Sequence, residues 1–211
     1  MSLGHGVQIA RSNLKLLLDR DNIKSYTGSG TAWTDLIRKT TYSNPLSSGI
    51  GNETWMGGAT SGITISIVLK KIQTYVGYAE HPVNKWTGTS DASFVLYHFG
   101  TTGTPNLLMW YANKGGTWGS ISGGFTGVNG NTYAITLQYN DASGGQMWVN
   151  GVKVGGRTGS GTRGTSSASC IVYGPDGTSS SRIESCYMWD RELSDTEIKQ
   201  NFEALRGRYG I

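Results

Sequence analysis

The last stretch of the sequence, 183–211, constrains the fold most, because two different hydrophobic periods follow each other there without a glycine-rich loop between them. In its first part Cys186 and Met188 share one face of an extended segment. Tyr187 and Trp189 share the other face, so apolar side chains stand on both sides. The sequence therefore predicts a strand that lies inside a sheet and is covered on both faces.

A short helix is predicted directly after this strand. Ser194 precedes Glu197 by three residues, which is the spacing of a capping box at a helix N-terminus. The residues that follow form one apolar stripe at helical spacing, which consists of Ile198, Phe202 and Leu205. This stripe predicts a helix that lies flat on an apolar surface. We expect Gly207 to end it, because glycine readily adopts the left-handed conformation that ends helices.

Most of the remaining chain is typical of strands and turns. The clearest strand is 62–72, where isoleucine or leucine occupies every second position from 63 to 69. Further strands are predicted at 13–19, 74–78, 93–99, 107–112, 133–139, 146–149 and 170–173. Asn150 and Gly151 both tolerate positive φ, so a type I′ hairpin is expected there. We predict a turn at 80–92 and a long exposed loop at 155–169.

Composition supports an all-β domain. The 211 residues include 32 glycines and only 4 prolines, with serine and threonine between the apolar segments, which is typical of short strands joined by turns. Seven tryptophans and 11 tyrosines provide enough apolar surface for a core, so disorder is not expected. A single domain of this length fits an all-β sandwich.

The net charge of the chain is mildly positive and does not indicate a nucleic-acid partner. The net charge is +4 and the pI is near 9.0. The excess of cations lies mainly before residue 41, at Arg11, Lys15, Arg20, Lys24, Arg38 and Lys39. These residues are spread between turns and not clustered with aromatic residues, so we predict a solvated surface and no nucleic-acid partner.

Neither a membrane nor an export route is indicated by the sequence. No run approaches the roughly 20 apolar residues that a membrane span needs. The opening MSLGHGVQIARS lacks the apolar centre and cleavage site of a secretory signal, so folding in a cytoplasm is expected.

Several segments resemble the concanavalin A-like, laminin-G-like jelly-roll domains, and more narrowly the version in structural proteins of tailed bacteriophages. The run YMWDRELSDTEI at 187–198 is similar to the closing strand and "NRALS-x-x-EI" turn of that family, and NFEALRGRYGI at 201–211 to the phage version of its tail. The segments "PxNKWxGT" and "FxLYxF" resemble further family elements, and MWVNGVKV at 147–154 resembles the family's "LYVNGxxV" element.

The segment 19–36 closely resembles the "LDAxNPKSYPGSGTTWxDL" opening of the phage-type jelly rolls. The matching residues are Asp19, Asn22, Ser25, Tyr26, Gly28, Gly30, Thr31, Trp33, Asp35 and Leu36. Thr27 departs from it, since proline is usual there, and 37–46 replaces a glycine-rich hairpin. The resemblance covers nearly the whole chain and is strong at 13–36, 81–99, 133–152 and 183–211.

The resemblance and the strand pattern together predict a two-sheet antiparallel jelly-roll sandwich of concanavalin A-like type with one short C-terminal helix. We expect a single jelly-roll domain at 13–211. The glycine-interrupted, weakly apolar segment 1–12 is expected to be an arm that docks on a partner.

The function implied by the resemblance is that of a non-enzymatic structural protein of a bacteriophage virion, such as a decoration, cement or fibre-associated protein. It would be made in the host bacterial cytoplasm and would assemble as a homo-oligomer with other virion proteins. The alternative is a carbohydrate-binding module that recognises a host-surface glycan. A glycoside hydrolase or lyase is the least supported class.

Catalytic chemistry lacks support in the sequence. Retaining glycosidases of this fold need two close carboxylates, usually from Glu-x-Asp-x-Glu on one strand, and no such run occurs. The nearest acids are Asp190, Glu192, Asp195 and Glu197, which are predicted to make cap and dipole contacts at the helix start.

Metal and nucleophile chemistry lack support as well. His5, His81 and His98 are dispersed, and no Gly-x-Ser-x-Gly elbow is present. We therefore predict no catalytic residue, metal site or cofactor, with calcium at Asp141 or Asp176 as a lesser alternative.

Aromatic residues are the remaining candidates for binding, because sugar rings stack on flat apolar faces. The candidates are Trp86, Trp110, Trp118 and Trp148. Trp110 and Trp148 alternate with apolar neighbours, so both point outward if those neighbours face the core. The alternative is that the rings pack under loops or against a neighbouring subunit.

The two cysteines, Cys170 and Cys186, could pair if their strands are neighbours. Both lie among core-type residues, so two free buried thiols are favoured.

Overall fold

A computed structural model describes most of the chain. The described residues are 8–22, 24–29, 32–42, 50–56, 62–71, 80–88, 91–101, 104–112, 118–121, 125, 127–140, 144–157, 164–172 and 181–211. Some strand residues, among them 97–101, 104–112 and 118–121, are described by their backbone alone.

Within these residues the chain forms two main antiparallel sheets and a C-terminal helix. The elements are β1 (Leu14–Asp19), β2 (Trp33–Thr34), β3 (Thr41–Tyr42), a 3-10 turn (Thr54–Met56), β4 (Ile63–Lys71), β5 (Glu80–Gly88), β6 (Asp91–Thr101), β7 (Thr104–Ala112), β8 (Trp118–Ile121), β9 (Thr132–Asn140), β10 (Gly144–Val149), β11 (Val152–Arg157), β12 (Ile171–Val172), β13 (Ser181–Trp189) and α1 (Asp195–Tyr209).

The sheet orders confirm the predicted two-sheet sandwich. The six-stranded sheet has the order β1-β13-β4-β9-β10-β11, and the five-stranded sheet has the order β12-β5-β6-β7-β8. Strands β2 and β3 form a small separate ribbon. Because β13 lies between β1 and β4, the prediction that it is an inner strand is confirmed.

The main core lies between the two sheets. On β4 every second residue, namely Ile63, Ile65, Ile67 and Leu69, is buried in it, as the period-two pattern predicts. The five-stranded sheet contributes Val83, Phe94 and Leu96 from its facing side. Cys186 and Met188 of β13 belong to the same core.

A second apolar cluster covers the outer face of the six-stranded sheet. There Tyr187 and Trp189 of β13 pack with Trp148 of β10 beneath Ile198 and Leu205 of α1. The strand β13 is therefore covered on both faces, and the predicted helix lies on an apolar surface as expected.

The start of α1 is as predicted, but its end is not. Ser194 accepts a hydrogen bond from the Glu197 backbone N–H, and the Glu197 carboxylate accepts one from the Ser194 N–H, so the capping box is present. The expected stop at Gly207 is wrong, because that residue continues the helix to Tyr209. The left-handed residue is Gly210, with φ of 65°, and its N–H donates to the Arg206 carbonyl.

The apolar stripe of α1 also differs from the prediction. Its buried residues are Ile198, Asn201 and Leu205, while Phe202 is half-buried. The Phe202 ring lies over the hairpin turn, where a Cβ added at Gly151 would come within 2.9 Å of it. That turn has φ of 51° at Asn150 and 74° at Gly151, which confirms the type I′ hairpin.

The segment 80–92, predicted as a turn, forms strand β5 and the start of β6. Its polar residues predict a surface turn, whereas in the structure Lys85 is only 1% exposed. The Lys85 ammonium donates to the carbonyls of Ser166 and Ala168, at 2.9 and 2.6 Å, and to the Asn52 side chain. Its three donors are thereby used within the protein.

The segment 155–169, predicted as an exposed loop, is partly strand and partly buried. Strand β11 extends to Arg157, and residues Ser166, Ala168 and Cys170 are buried on alternate positions. Cys170 also exchanges backbone hydrogen bonds with Ile50 and Gly51. The intervening residues 158–163 and the predicted strand 74–78 lie outside the described residues.

The second half of the predicted N-terminal arm is held by the chain's own domain. The Ala10 N–H donates to Asn201 Oδ1 at 2.7 Å, and Trp189 Nε1 donates to the Ala10 carbonyl at 2.9 Å. Gln200 donates to the Gln8 carbonyl at 2.6 Å. Residues 8–12 thus differ from the expectation of an arm ordered by a partner, and residues 1–7 lie outside the described part.

Both cysteines are buried free thiols. Burial raises the pKa of Cys170 to about 12 and raises that of Cys186 well above its ordinary value. In the part of the chain that the structure describes, no helix is long and apolar enough to cross a membrane.

The helix start should make stability depend on acid pH. Hydrogen bonding from Arg191 lowers the pKa of Glu197 from 4.5 to about 2. The unfolded chain therefore binds this proton more readily, and stability is lost as the pH falls from about 4.5 towards 2. We expect Glu197→Gln to lower the melting temperature at pH 6 and the gap to wild type to shrink below pH 4. Thermal melts across this range, with Glu203→Gln as the control, measure the gap; a gap that stays constant contradicts the assignment.

Candidate functional site: a basic groove beside the first strand

The structure places the four candidate tryptophans in different environments. Trp148 alternates with core residue Met147 and so points to the outer face of its sheet, as the sequence predicts. That face is not free, because the ring is only 3% exposed in the cluster beneath α1. The expectation of an exposed Trp148 is corrected, since a sugar could reach this ring only if the helix moved.

Trp86 is the candidate whose ring is both described and partly accessible. It lies near the end of β5, is half-buried, and meets the His81 ring edge-on at a centroid distance of 5.0 Å and an angle of 88°. Trp110 lies in β7, paired in register with Val95 and Ser120, and Trp118 begins β8. The side chains of these two residues lie outside the described part of the structure.

Asp190, Glu192 and Glu197 have side-chain partners at the helix start, and Glu197 makes the predicted cap contact. Arg191 binds both carboxylate oxygens of Glu197, at 2.6 and 3.0 Å. Asp190 pairs with Lys15 at 3.1 Å, and Glu192 accepts a hydrogen bond from Asn140. Among the described residues, no group of three or more His, Cys, Asp or Glu side chains could hold a metal ion. Asp141 and Asp176 lie outside those residues.

A groove of about 470 Å³ lies on the outer face of the six-stranded sheet beside β1. Its described lining comes from Gln8, Ile9 and Arg11, from Asn22 and Lys24, from Leu36, Ile37 and Lys39, and from Arg208 near the end of α1. We call the five aliphatic residues of this lining its floor, namely Ile9, Leu14, Leu17, Leu36 and Ile37. We call this concavity the basic groove, because four cations, Arg11, Lys24, Lys39 and Arg208, also line it.

Hydrogen bonds to β1 hold the 35–38 turn, which contributes Leu36 and Ile37 to the lining of the basic groove. The Leu17 N–H donates to Asp35 Oδ1 at 3.1 Å, and the Leu36 N–H donates to the Leu17 carbonyl at 2.9 Å. Asp35 also accepts from Arg38 Nε at 2.7 Å. The free edge of β1 is thus covered by the 35–38 turn, which presents Ile37, 38% exposed, to the groove.

Among the described residues, one carboxylate lines the groove, and both of its oxygens are already engaged within the protein. Asp19 is 2% exposed; its Oδ2 accepts from Arg208 at 2.6 Å and its Oδ1 from the Tyr209 hydroxyl at 2.9 Å. Burial raises the pKa of Asp19 above its ordinary value, although the Arg208 charge and the Tyr209 hydrogen bond act in the opposite direction. This triad ties the end of α1 to the end of β1.

The basic residues that line the groove are visible in the sequence, but they lie apart along the chain, so the sequence does not show that they come together. The basic excess before residue 41 predicts a solvated surface from sequence alone. In the structure Lys15, Arg20 and Arg38 are each paired with an acid. Arg11, Lys24 and Lys39 instead converge on the groove, where Arg208 joins them from the other end of the chain.

Comparisons with known proteins bear on the fold. No family model matches the sequence, and no curated protein matches it. Among solved structures, the sialidase of Trypanosoma rangeli in complex with 2,3-difluoro-KDN is similar, with 13% identity and a TM-score of 0.61 over 97% of this chain and 34% of that chain.

Two botulinum neurotoxin structures are also similar. The type G receptor binding domain has 14% identity and a TM-score of 0.56 over 91% of this chain and 51% of that chain. The binding domain of neurotoxin DC in complex with SialylT has 12% identity and a TM-score of 0.50 over 69% of this chain and 36% of that chain. At these identities the similarity establishes an all-β sandwich fold alone, and the chain spans between a third and a half of these solved chains.

Proposed function

We propose that this chain is a non-catalytic carbohydrate-binding module and that the basic groove is its binding site. The observation that carries the proposal is the groove's lining, which joins an aliphatic floor to several hydrogen-bond donors on its rim. A sugar presents the same combination, with C–H faces between hydroxyl groups. The volume of about 470 Å³ lies within the usual range of small-ligand sites.

Two further points support this class of function. The solved structures of similar fold include complexes with SialylT and with 2,3-difluoro-KDN, which are sugar derivatives. Among the described residues, the acids near the end of β13 are used in cap and ion-pair contacts, and this favours binding over hydrolysis.

The finer proposal is that the module belongs to a bacteriophage virion, as the sequence resemblance implies. The residues that carry this resemblance are largely buried and structural, among them Tyr26, Trp33, Asp35, Asn84 and Lys85. A shared fold is enough to explain them, and no shared function is needed. The virion role therefore rests on the sequence resemblance alone, as do the oligomeric state and the virion partners. The two functions are compatible, since a module on a virion can bind a host-surface glycan.

A glycan array that includes bacterial surface polysaccharides tests the binding function. We expect the wild-type chain to be retained on a restricted set of glycans, and Ile37→Trp, which fills the groove, to lose that retention. Val128→Trp is the matched control, because Val128 is 57% exposed and does not line the groove. Absence of any retention contradicts the function. Retention that depends on Trp86 and tolerates Ile37→Trp keeps the function but moves the site to β5.

A further inference from the structure

We infer that the ligand of the basic groove is a short acidic oligosaccharide, whose anionic groups bind Arg11, Lys24 and Lys39. This inference rests on the proposed function and specifies its ligand class. Its starting point is the distribution of charge partners among the basic residues near the N-terminus of the chain.

The cations that line the groove differ from their sequence neighbours. Lys15, Arg20 and Arg38 form ion pairs of 3.1, 2.7 and 2.7 Å with acids. Arg11 and Lys24 are exposed, and neither side chain forms a hydrogen bond or ion pair with the part of the chain that the structure describes. Two cations on the rim are therefore available to a ligand.

Lys39 is the third available cation. Its ammonium donates one hydrogen bond, of 2.6 Å, to the Leu36 carbonyl of its own turn. Two of its three donors remain for another group. The bond to the turn also restrains the side chain, so less conformational entropy is lost when an anion binds.

The carboxylate in the groove does not neutralise these three charges. Both oxygens of Asp19 are occupied by Arg208 and Tyr209, and the Asp21 N–H donates a further hydrogen bond to Oδ1 at 3.1 Å. Asp19 and Arg208 cancel each other as a pair. Among the described lining residues, the remaining charge is thus that of Arg11, Lys24 and Lys39. A concave site of one sign attracts ligands of the opposite sign.

The floor of the groove argues against nucleic acid and against a simple inorganic anion. Proteins that bind single-stranded nucleic acids offer exposed aromatic rings for base stacking. In the described part of the lining the aromatic residue is Tyr187, which is buried. The floor instead offers Leu17 and Ile37, which suit the C–H face of a sugar ring while its acidic group meets the rim.

An arginine and two lysines suit the groups that acidic sugars carry. The Arg11 guanidinium can bind a carboxylate with two parallel hydrogen bonds, while a lysine binds as a point charge. Such charge-assisted contacts at an exposed rim weaken when salt increases. Binding should therefore depend on both the acidic group and the ionic strength.

The test compares acidic and neutral glycans on one array, with 3′-sialyllactose against lactose and a trigalacturonate against its methyl ester as matched pairs. We expect the retained glycans to be acidic, and retention to decrease when salt increases from about 0.05 M to about 0.5 M. Retention of neutral members alone, or of each acid and its neutral partner equally, overturns this inference but leaves the proposed function intact. Failure of all glycans contradicts both.

Two double variants distinguish an effect of the groove cations on binding from an effect of the protein's net charge. We expect Arg11→Gln with Lys24→Gln to weaken binding of the best acidic glycan by roughly tenfold or more. Lys70→Gln with Lys199→Gln removes the same charge away from the groove and should leave binding unchanged. Equal loss in both double variants overturns the site, as does polyglutamate that competes as well as the acidic sugar. Thermal melts of both double variants verify that the fold is retained.

Discussion

Replacement of Lys85 with methionine is expected to lower the free energy of unfolding by about 3 kcal/mol, because three acceptors lose a charged donor inside the protein. For a chain of this size such a loss corresponds to roughly 6–12 °C in melting temperature. The acceptors are Asn52 and the carbonyls of Ser166 and Ala168. Asn52 lies far from the other two in sequence, and all three lie far from Lys85. Lys85 therefore joins the 50–53 segment and the 164–170 segment to β5.

The physical reason is that methionine can fill the space of the lysine stem but cannot donate a hydrogen bond. Carbonyls that remain buried without a donor cost more than the average net gain of a hydrogen bond. We expect the 164–170 segment to lose protection against amide hydrogen exchange before the rest of the domain does. Its neighbour Cys170, buried and with a raised pKa, should then become reactive to thiol reagents.

The matched control is Lys70→Met in β4, a half-buried strand residue that forms no ion pair with the residues that the structure describes. We expect this variant to change the free energy of unfolding by no more than about 0.5 kcal/mol. If Lys85→Met and Lys70→Met have the same melting temperature, the interior hydrogen bonds of Lys85 contribute little to stability. The burial of Lys85 then needs another explanation.

Lys85 also illustrates which parts of the fold could be predicted from the sequence. The strand β4 and the start of α1 were predicted because apolar alternation and a capping box are local patterns. Strand β5 was not predicted, because it contains Pro82, register shifts against β6, and a buried charge whose partners lie 33 to 83 residues away. No local pattern reports such partners.

The same distinction applies to the candidate site. The basic groove joins Arg11, Lys24 and Lys39 with Arg208. In sequence these cations are separate and cannot be distinguished from Lys15 or other paired cations nearby. They converge because β1 pairs with β13 and α1 returns across that pair, which is a consequence of topology and not of spacing.

Trp148 shows how a correct alternation can still mislead about exposure. The sequence predicted that the ring points away from Met147, and this is confirmed. A side chain that points away from the core is exposed to solvent only if nothing covers that face of the sheet. Here α1 covers it, and the ring packs with Tyr187 and Leu205 while Lys153 lies 5.6 Å from its centroid.

We therefore expect Trp148→Ala to act on stability and not directly on glycan binding. Loss of a buried tryptophan leaves a cavity and costs about 3–5 kcal/mol, or roughly 6–20 °C here. Trp148→Phe, which retains much of the volume, should cost less and keep wild-type glycan retention. Trp86→Ala serves as the comparison, because the half-buried Trp86 should contribute less to the melting temperature. Thermal melts and array retention of the three variants decide the role of Trp148: if Trp148→Ala melts like wild type yet loses retention, the ring contacts the ligand and α1 must move away when the ligand binds.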